Sequence, residues 1–436
     1  MIYGGDGLAR LPADERGRGK TVFVPFVLAE EKVEATITEQ KAGFARAHAE
    51  SVIEPSPHRI QPGCRYFERC GGCHYQHSSY EHQLAIKEEI LRETLRRTAK
   101  FDLSVDVQVH PSPPWNYRNR SRLQIQTGPE FKAGYFRMAS HELLAVEECP
   151  ISSPLINRGI ARLWENGRAG RVPKGVREVE FFANADDSKM LLEISTTAET
   201  RRAEVRAWTE ELLTSVPEIA GIAAFRKTPK GAPKTEEKLL NAGADHLIYQ
   251  TSRAAYRVSA GSFFQTNRYL IDELVKIVAE GQSGELALDL YAGAGLFSTA
   301  LSDFHHIVSV ESSQTSSGDL SYNLLSNGVA VQASTEQYLA SIEKSGRSGK
   351  GAILPHISHR PNLAVVDPPR NGLGERVARM LLTLGAPRVV YVSCDPVTLA
   401  RDLVILLGAG YRIEQLHLVD LFPQTYHLES VVHLVR

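Results

Sequence analysis

Toward the C-terminus, from about residue 260, short runs of apolar residues recur at 286–291, 307–310, 363–366 and 389–392, each followed by a stretch with helical spacing. Runs apolar on both faces belong in a sheet covered by helices on both sides. This part therefore reads as α/β, built on a mostly parallel, doubly wound sheet. The pattern upstream is different. Residues 1–55 alternate β-prone stretches (21–27, 33–38) with Gly- and charge-rich turns, which predicts a small β-rich unit. Residues 56–82 read as loop, and an amphipathic helix follows over 80–97, with Leu84, Ile90, Leu91 and Leu95 near one face. Between 101 and 258, strand-like runs (123–126, 190–194) mix with a helix-like run (203–214), as in α+β domains. Three domains are expected, over 1–55, 56–258 and 259–436. Residues 344–361, rich in Gly, Ser, Lys, Arg and His, predict an exposed insertion loop.

Charge changes this picture little. The 50 Lys and Arg balance 51 Asp and Glu over 436 residues, a mild argument against nucleic-acid binding that a local basic surface can override. No apolar run approaches the length of a membrane helix and the N-terminus lacks a signal-peptide pattern, so a cytoplasmic protein with no membrane partner is expected, as a monomer. Five cysteines are spread unevenly: Cys64, Cys70 and Cys73 cluster, while Cys149 and Cys394 stand apart. In a long chain of this kind, clustered thiols suggest metal or catalysis rather than disulfides.

Chemistry concentrates at predicted strand ends. The segment 287–296 (ALDLYAGAGL) runs from strand into a glycine turn, where the backbone can approach a ligand, and Glu311 ends the next strand, where a carboxylate can accept from ribose hydroxyls. Ser298 replaces the third glycine of the dinucleotide fingerprint, and a tight turn without ligand accounts for the same residues. Asp367-Pro368-Pro369-Arg370 follows the 363–366 strand, the prolines holding the Asp367 carboxylate at the strand's carboxyl end. Cys394 also sits at a strand end, with Asp395 as a helix N-cap and Pro396 at the first helical position. A helix N-terminus beside the thiol would lower its pKa and favour the nucleophilic thiolate. Glu429 precedes the last strand, 431–435, where partial desolvation would raise its pKa toward that of a useful base.

These motifs, with Phe263-Phe264-Gln265-Thr266-Asn267 and Phe422-Pro-Gln-Thr-Tyr-His-Leu-Glu429, follow one another as in the RNA uracil-5-methyltransferase family, which the chain resembles over nearly its whole length. The resemblance implies a Rossmann-like methyltransferase domain, a central α+β domain and an N-terminal TRAM-like β-barrel. It implies that Gln265, Tyr291, Leu296, Glu311 and Asp367 contact S-adenosylmethionine, that Cys394 is the nucleophile and Glu429 the base, and that Phe263 packs near the target base. Such a thiolate adds to uracil C6, C5 takes the methyl group, a base removes the C5 proton, and the thiol leaves. Cytosine-5 methylation and a catalytically silent RNA-binding protein are the alternatives. Ala333-Ser334-Thr335 stands where many relatives have Asp, and the chain begins partway into the TRAM pattern, so either a missing first strand or a misplaced start codon is expected there.

The spacing Cys64-x5-Cys70-x2-Cys73 with distant Cys149 suits zinc on spacing alone, with His74 and His77 as substitute ligands. The family resemblance implies instead a [4Fe-4S] cluster on Cys64, Cys70, Cys73 and Cys149. The cluster and the TRAM-like segment resemble the ribosomal branch, so 23S ribosomal RNA is the expected partner and transfer RNA, at uridine 54, the alternative. Arg118, Arg120 and Arg122 alternate along one predicted strand and offer phosphate contacts, or a merely solvated face.

Overall fold

The computed structural model describes residues 1–11, 19–100, 103–128, 130–227, 236–348 and 360–436. At the N-terminus, β1 (Asp6–Arg10), β2 (Thr21–Pro25), β3 (Lys32–Gln40) and β4 (Phe44–Glu54) form one sheet in the order β1-β2-β4-β3. Val22, Val24, Val27, Ala45 and Ala47 make its small core. A barrel was the expectation. Among the described residues no pairing joins β1 to β3, so the unit is an open four-stranded sheet.

The predicted helix forms as α1 (Tyr80–Thr94) and continues through a π turn over Leu95–Ala99. Strand β5 (Val107–His110) then joins the C-terminal sheet rather than its sequence neighbours, running parallel to a strand more than three hundred residues later. The central sheet has seven strands. In chain order these are β6 (Arg120–Gln126), β7 (Lys132–Phe136), β8 (Leu143–Ala145), β9 (Val176–Ala183), β10 (Met190–Thr196), β11 (Ile219–Lys227) and β12 (Glu236–Gly243). Only β10 and β11 pair in parallel, as the crossover through a helix between them requires. Helices α2 (Pro154–Arg168) and α3 (Arg202–Ser215) cover this sheet, burying Ile156, Ile160, Leu163 and Trp208 against Val179, Leu192 and Ile194. Helix α2 begins as its sequence dictates, with the Ser153 hydroxyl accepting from the Ile156 N–H and Pro154 in the first turn. A hairpin, β13 (His246–Gln250) and β14 (Ala255–Ser259), leads into the C-terminal unit.

There α4 (Ile271–Ala279), β15 (Gly284–Leu290), β16 (Phe304–Glu311), α5 (Gln314–Asn323), β17 (Gly328–Gln332), α6 (Thr335–Ser348), β18 (Leu363–Val366), α7 (Gly374–Leu384), β19 (Arg388–Ser393), α8 (Pro396–Gly408), β20 (Arg412–Val419) and β21 (Glu429–Val435) follow in turn. The sheet order is β17-β16-β15-β18-β19-β21-β20-β5, parallel except for β21. This is the expected doubly wound α/β sheet. One face packs on α7, α8 and α1 and the other on α4 and the β13–β14 hairpin, so its strands are buried on both sides. The insertion loop expected over 344–361 begins instead as the end of α6, and 349–359 lie outside the described residues.

One buried ion pair is central to how the two halves of the chain are joined. After β20 the chain reaches Asp420, whose carboxylate takes the Lys87 Nζ at 2.5 Å and the Tyr80 hydroxyl at 2.9 Å, both from α1. Lys87 and Asp420 are fully buried, and Lys87 also donates to the Phe422 carbonyl at 3.0 Å. Removing one partner of such a pair leaves an uncompensated buried charge, at a cost of about 3–5 kcal/mol. Lys87→Met should therefore destabilise the protein by roughly that amount in denaturant unfolding, and Lys87→Met/Asp420→Asn should recover much of it. A single-variant loss below about 1 kcal/mol would show that the pair anchors nothing.

Candidate active site

The carboxyl ends of β15, β16, β18 and β19 meet at one edge of the sheet, with the start of β21 beside them. Tyr291 follows β15 with φ +67°, an uncommon conformation for a non-glycine residue. Gly293 (φ +57°) and Gly295 (φ +91°) complete the turn, and a side chain on Gly295 would strike Leu320 Cδ1 at 2.9 Å. Glu311, ending β16, is held against this turn: its carboxylate accepts from the Gly293 N–H at 2.9 Å and the Ser313 N–H at 2.6 Å. Gln265, Tyr291, Leu296 and Asp367 line one narrow cavity with Phe263 and Phe297. Phe263 is 58% exposed at its mouth. The Tyr291 hydroxyl reaches Thr335, in the segment that departs from the family pattern.

Strand register brings the remaining groups together. Leu290 pairs with Val366, so Tyr291 and Asp367 leave neighbouring strand ends. Ser393 pairs with Ser430 across the antiparallel β19–β21 ladder, which sets Cys394 opposite Glu429. Asp395 caps α8 as expected, accepting from the Val397 and Thr398 N–H groups at 2.9 and 3.0 Å. Glu429 is the first residue of β21 rather than a residue before it, and is buried.

The electrostatics differ from expectation at the thiol. Burial, then the charges of Glu429 and Asp367, push Cys394 up to about 12 despite the neighbouring helix N-terminus. The same crowding acts on the acids. Burial and the Asp289 charge push Asp367 up to about 7, and burial and Asp367 hold Glu429 well above the carboxylate range. Asp289, fully buried, is pushed up to about 6 by burial, and the Ser298 hydroxyl donates to its Oδ2 at 2.5 Å. That bond explains why serine occupies the third-glycine position. Arg370 is the countercharge, lowering both Cys394 and Glu429. It also contacts His427 at 3.2 Å, and burial and Arg370 push that imidazole down to about 3.

The loop that delivers Glu429 is wrapped by the segment carrying the cysteine cluster. The Gln424 carbonyl accepts from the His74 and Tyr75 N–H groups at 2.8 and 3.0 Å, and Gln83 exchanges two hydrogen bonds with Gln424, each of 3.0 Å. The Tyr117 hydroxyl donates to the Pro423 carbonyl at 3.1 Å.

Comparison with known proteins identifies the family. The model of the tRNA (uracil-5-)-methyltransferase family matches residues 79–436, and that of the TRAM domain matches residues 3–49. The chain belongs to the tRNA (uracil-5-)-methyltransferase family. A protein of Aquifex aeolicus described as an uncharacterized RNA methyltransferase is 33% identical, covering all of this chain and 96% of its own length. A counterpart in Thermotoga maritima is 30% identical, over all of this chain and 97% of its own length. Among solved structures, the Pyrococcus abyssi tRNA (uracil-54, C5)-methyltransferase in complex with S-adenosyl-L-homocysteine shares the fold. Its TM-score is 0.72 at 24% identity, covering 99% of this chain and all of that one.

In this methyltransferase the other cysteines gather elsewhere. Cys64, Cys70, Cys73 and Cys149 line one cavity of about 60 Å³ with Phe67, Tyr135 and Arg118. Burial pushes Cys70 up to about 11, and Cys64 upward with help from Cys149. Neither His74 nor His77 is among the residues lining that cavity. No group of three or more His, Cys, Asp or Glu side chains among the described residues is placed to hold a metal ion. The arginine strand is corrected: Arg122 pairs with Glu180 at 2.7 Å, and Arg120 pairs with it at 3.4 Å while stacking on Phe182. Glutamates of β9, the neighbouring strand, already neutralise them, which the alternation along β6 could not reveal. Sequence reasoning also passed over Asp289, Arg370 and His427 as charge partners. Only the nine-residue spacing from Asp289 to Ser298 gave a signal. No helix among the described residues is long and apolar enough to cross a membrane.

Alkylation of Cys394 follows its thiolate fraction, so between pH 7 and 10 the rate should climb without a plateau. At neutral pH it should be roughly 10²–10³-fold slower than at an ordinary exposed cysteine. Asp367→Asn removes a charge that raises the thiol and should shift the profile to lower pH. Rapid labelling of wild-type Cys394 at pH 7, followed by peptide mass spectrometry, would contradict this balance.

Proposed function

We propose that the enzyme transfers a methyl group from S-adenosylmethionine to C5 of a uridine in RNA, with Cys394 as nucleophile and Glu429 as base. The observation that carries this reading is the β19–β21 register, which faces the thiol with a buried carboxyl group beside the glycine-turn cavity. The residues fit the methyl donor: two positive-φ glycines open the turn, and the carboxylates of Glu311 and Asp367 offer acceptors and negative charge. Gln265, Tyr291 and Leu296 complete that set. S-adenosylmethionine, when bound, supplies the methyl group and a positive charge that offsets these carboxylates. As Cys394 gives up its proton, its sulfur bonds to uracil C6 and the C5–C6 π pair moves to C5, which takes the methyl group as the donor's C–S bond breaks and its sulfur leaves as a neutral thioether. Glu429 accepts the C5 proton, the C6–S bond breaks, and the thiolate is restored. A carboxyl group raised by burial suits this task, since it is a stronger base than an exposed one. The target base has to leave its stack to reach Cys394, and the exposed Phe263 offers it an apolar surface.

Three units are proposed for the chain, over 1–55, 56–258 and 259–436. The RNA is proposed to be 23S ribosomal RNA, on the cysteine pattern and the TRAM domain. Mapping 5-methyluridine in RNA from a strain lacking the gene tests this: a loss at transfer-RNA uridine 54 instead would redirect the assignment, and no loss would favour a silent RNA-binding protein.

Glu429→Gln keeps size and removes the basic oxygen, so elimination should slow by roughly 10²–10⁴-fold while addition and methyl transfer persist. The variant should accumulate methylated RNA bound covalently to protein, and adding Cys394→Ala should abolish the adduct. Normal turnover by Glu429→Gln would assign the base elsewhere.

The four cysteines around one cavity fit a [4Fe-4S] cluster. Thiolates would hold it, and a bound cation offsets the burial that raises them as free thiols. Its role would be structural, since methyl transfer needs no electrons. Protein purified without oxygen should carry about four iron per chain, and Cys149→Ser should lose it as readily as Cys70→Ser. Stoichiometric zinc would overturn this reading.

A further inference from the structure

The N-terminal unit is an RNA-binding type of domain by family, yet its first residues are partly buried against the catalytic unit. Met1 and Tyr3 pack against the hydrophobic core of the catalytic sheet. Gly5 lies against the His74 ring, close enough that a side chain there would meet His74 Cβ at 3.1 Å. Tyr3 touches both segments that carry the reactive groups, next to Cys394 and before Glu429. Its hydroxyl donates to Asp395 Oδ2 at 3.1 Å, while Asp395 Oδ1 caps α8 directly after Cys394. Its ring meets Tyr426 edge-on, with centroids 5.6 Å apart, and Tyr426 in turn packs on His427 at 4.4 Å in the loop that delivers Glu429.

We infer that Tyr3 is a positioning residue for the methyl-transfer reaction, fixing the capped turn that carries Cys394 and the loop that carries Glu429. The N-terminal domain thus contributes a residue to the working geometry of the active site. This rests on the assignment of Cys394 as nucleophile. The physical basis is that one Asp395 carboxylate serves two ends: the oxygen bonded to Tyr3 fixes the plane of the other, which holds the first turn of α8. Without the hydroxyl, the carboxylate is free to rotate and the adjacent thiol loses its fixed direction. Burial and the Asp395 charge also raise the phenol, so the hydroxyl stays a donor throughout the working pH range.

The test uses full-length protein carrying Tyr3→Phe, which keeps the ring and its contact with Tyr426. With RNA extracted from a strain lacking the gene, kcat should fall about tenfold, as for loss of one hydrogen bond to a charged group. KM for that RNA should change less than about twofold, since no RNA contact is removed. The pH profile of Cys394 alkylation by iodoacetamide, measured without RNA, should move to higher pH, because the Asp395 charge is no longer shared with a donor. Tyr3→Ala should be slower still, and Tyr3→Phe should add nothing in an Asp395→Ala background. A raised KM with unchanged kcat and alkylation would make Tyr3 an RNA contact and overturn the inference. So would a lowered melting temperature with the alkylation profile unmoved, which marks a purely structural role. Methylation that survives Cys394→Ala would instead remove the nucleophile assignment itself, whatever Tyr3 does.

Discussion

The buried ion pair between Lys87 and Asp420 is the constraint on which the active-site end of this protein depends. Burial works against the ammonium, and the Asp420 carboxylate 2.5 Å away is what holds it. A pair of this kind adds little net stability over an apolar replacement but punishes any arrangement that separates its members. It therefore selects one docking of α1 on the chain leaving β20. Tyr80, Gln83 and Lys87 project from successive turns of α1, and each bonds the stretch between Asp420 and Gln424. With that stretch fixed, the loop to Glu429 can enter β21 in only one register. The Gln424 backbone sits at φ +68°, a conformation that its hydrogen bonds to Gln83, His74 and Tyr75 hold in place.

The same anchoring gathers a set of acids that repel one another. Asp289, Asp367, Glu429 and Cys394 each raise or are raised by a neighbour, with Arg370 as the cation that opposes them. Such a cluster holds protons in the resting protein and is poised to release them when positive charge arrives. The proposed reaction needs first a thiolate and then a base, and groups whose protonation depends on what is bound beside them suit it. The helix N-terminus next to Cys394 is real, but burial of the thiol, followed by the Glu429 and Asp367 charges, outweighs a partial charge at a helix end.

The cysteine-bearing segment and the N-terminal sheet act on this centre from outside. Residues 74 and 75, directly after Cys73, bond the Gln424 carbonyl, so the segment lining the thiol cavity is tied through backbone to the loop that leads to Glu429. On the other side, Tyr3 meets Asp395 and Tyr426. Three regions far apart in sequence thus converge on a loop of ten residues.

Local pattern was enough for much of this. Buried apolar runs specified the strands of the catalytic sheet, Ser393-Cys394-Asp395-Pro396 specified a strand end and a capped helix, and the glycine turn specified where a ligand could approach, because each depends on neighbours within a few residues. Long-range pairing was invisible. That β5 completes a sheet begun at β15, that Arg120 and Arg122 are neutralised by Glu180, that the N-terminal sheet stays open, and that Cys394 is raised rather than lowered all follow from groups brought together by folding. Sequence determined which chemical groups this protein has and the local backbone that presents them. Tertiary structure decided their charge states and partners, because desolvation and Coulomb interactions act through space and depend on distances that no spacing along the chain encodes.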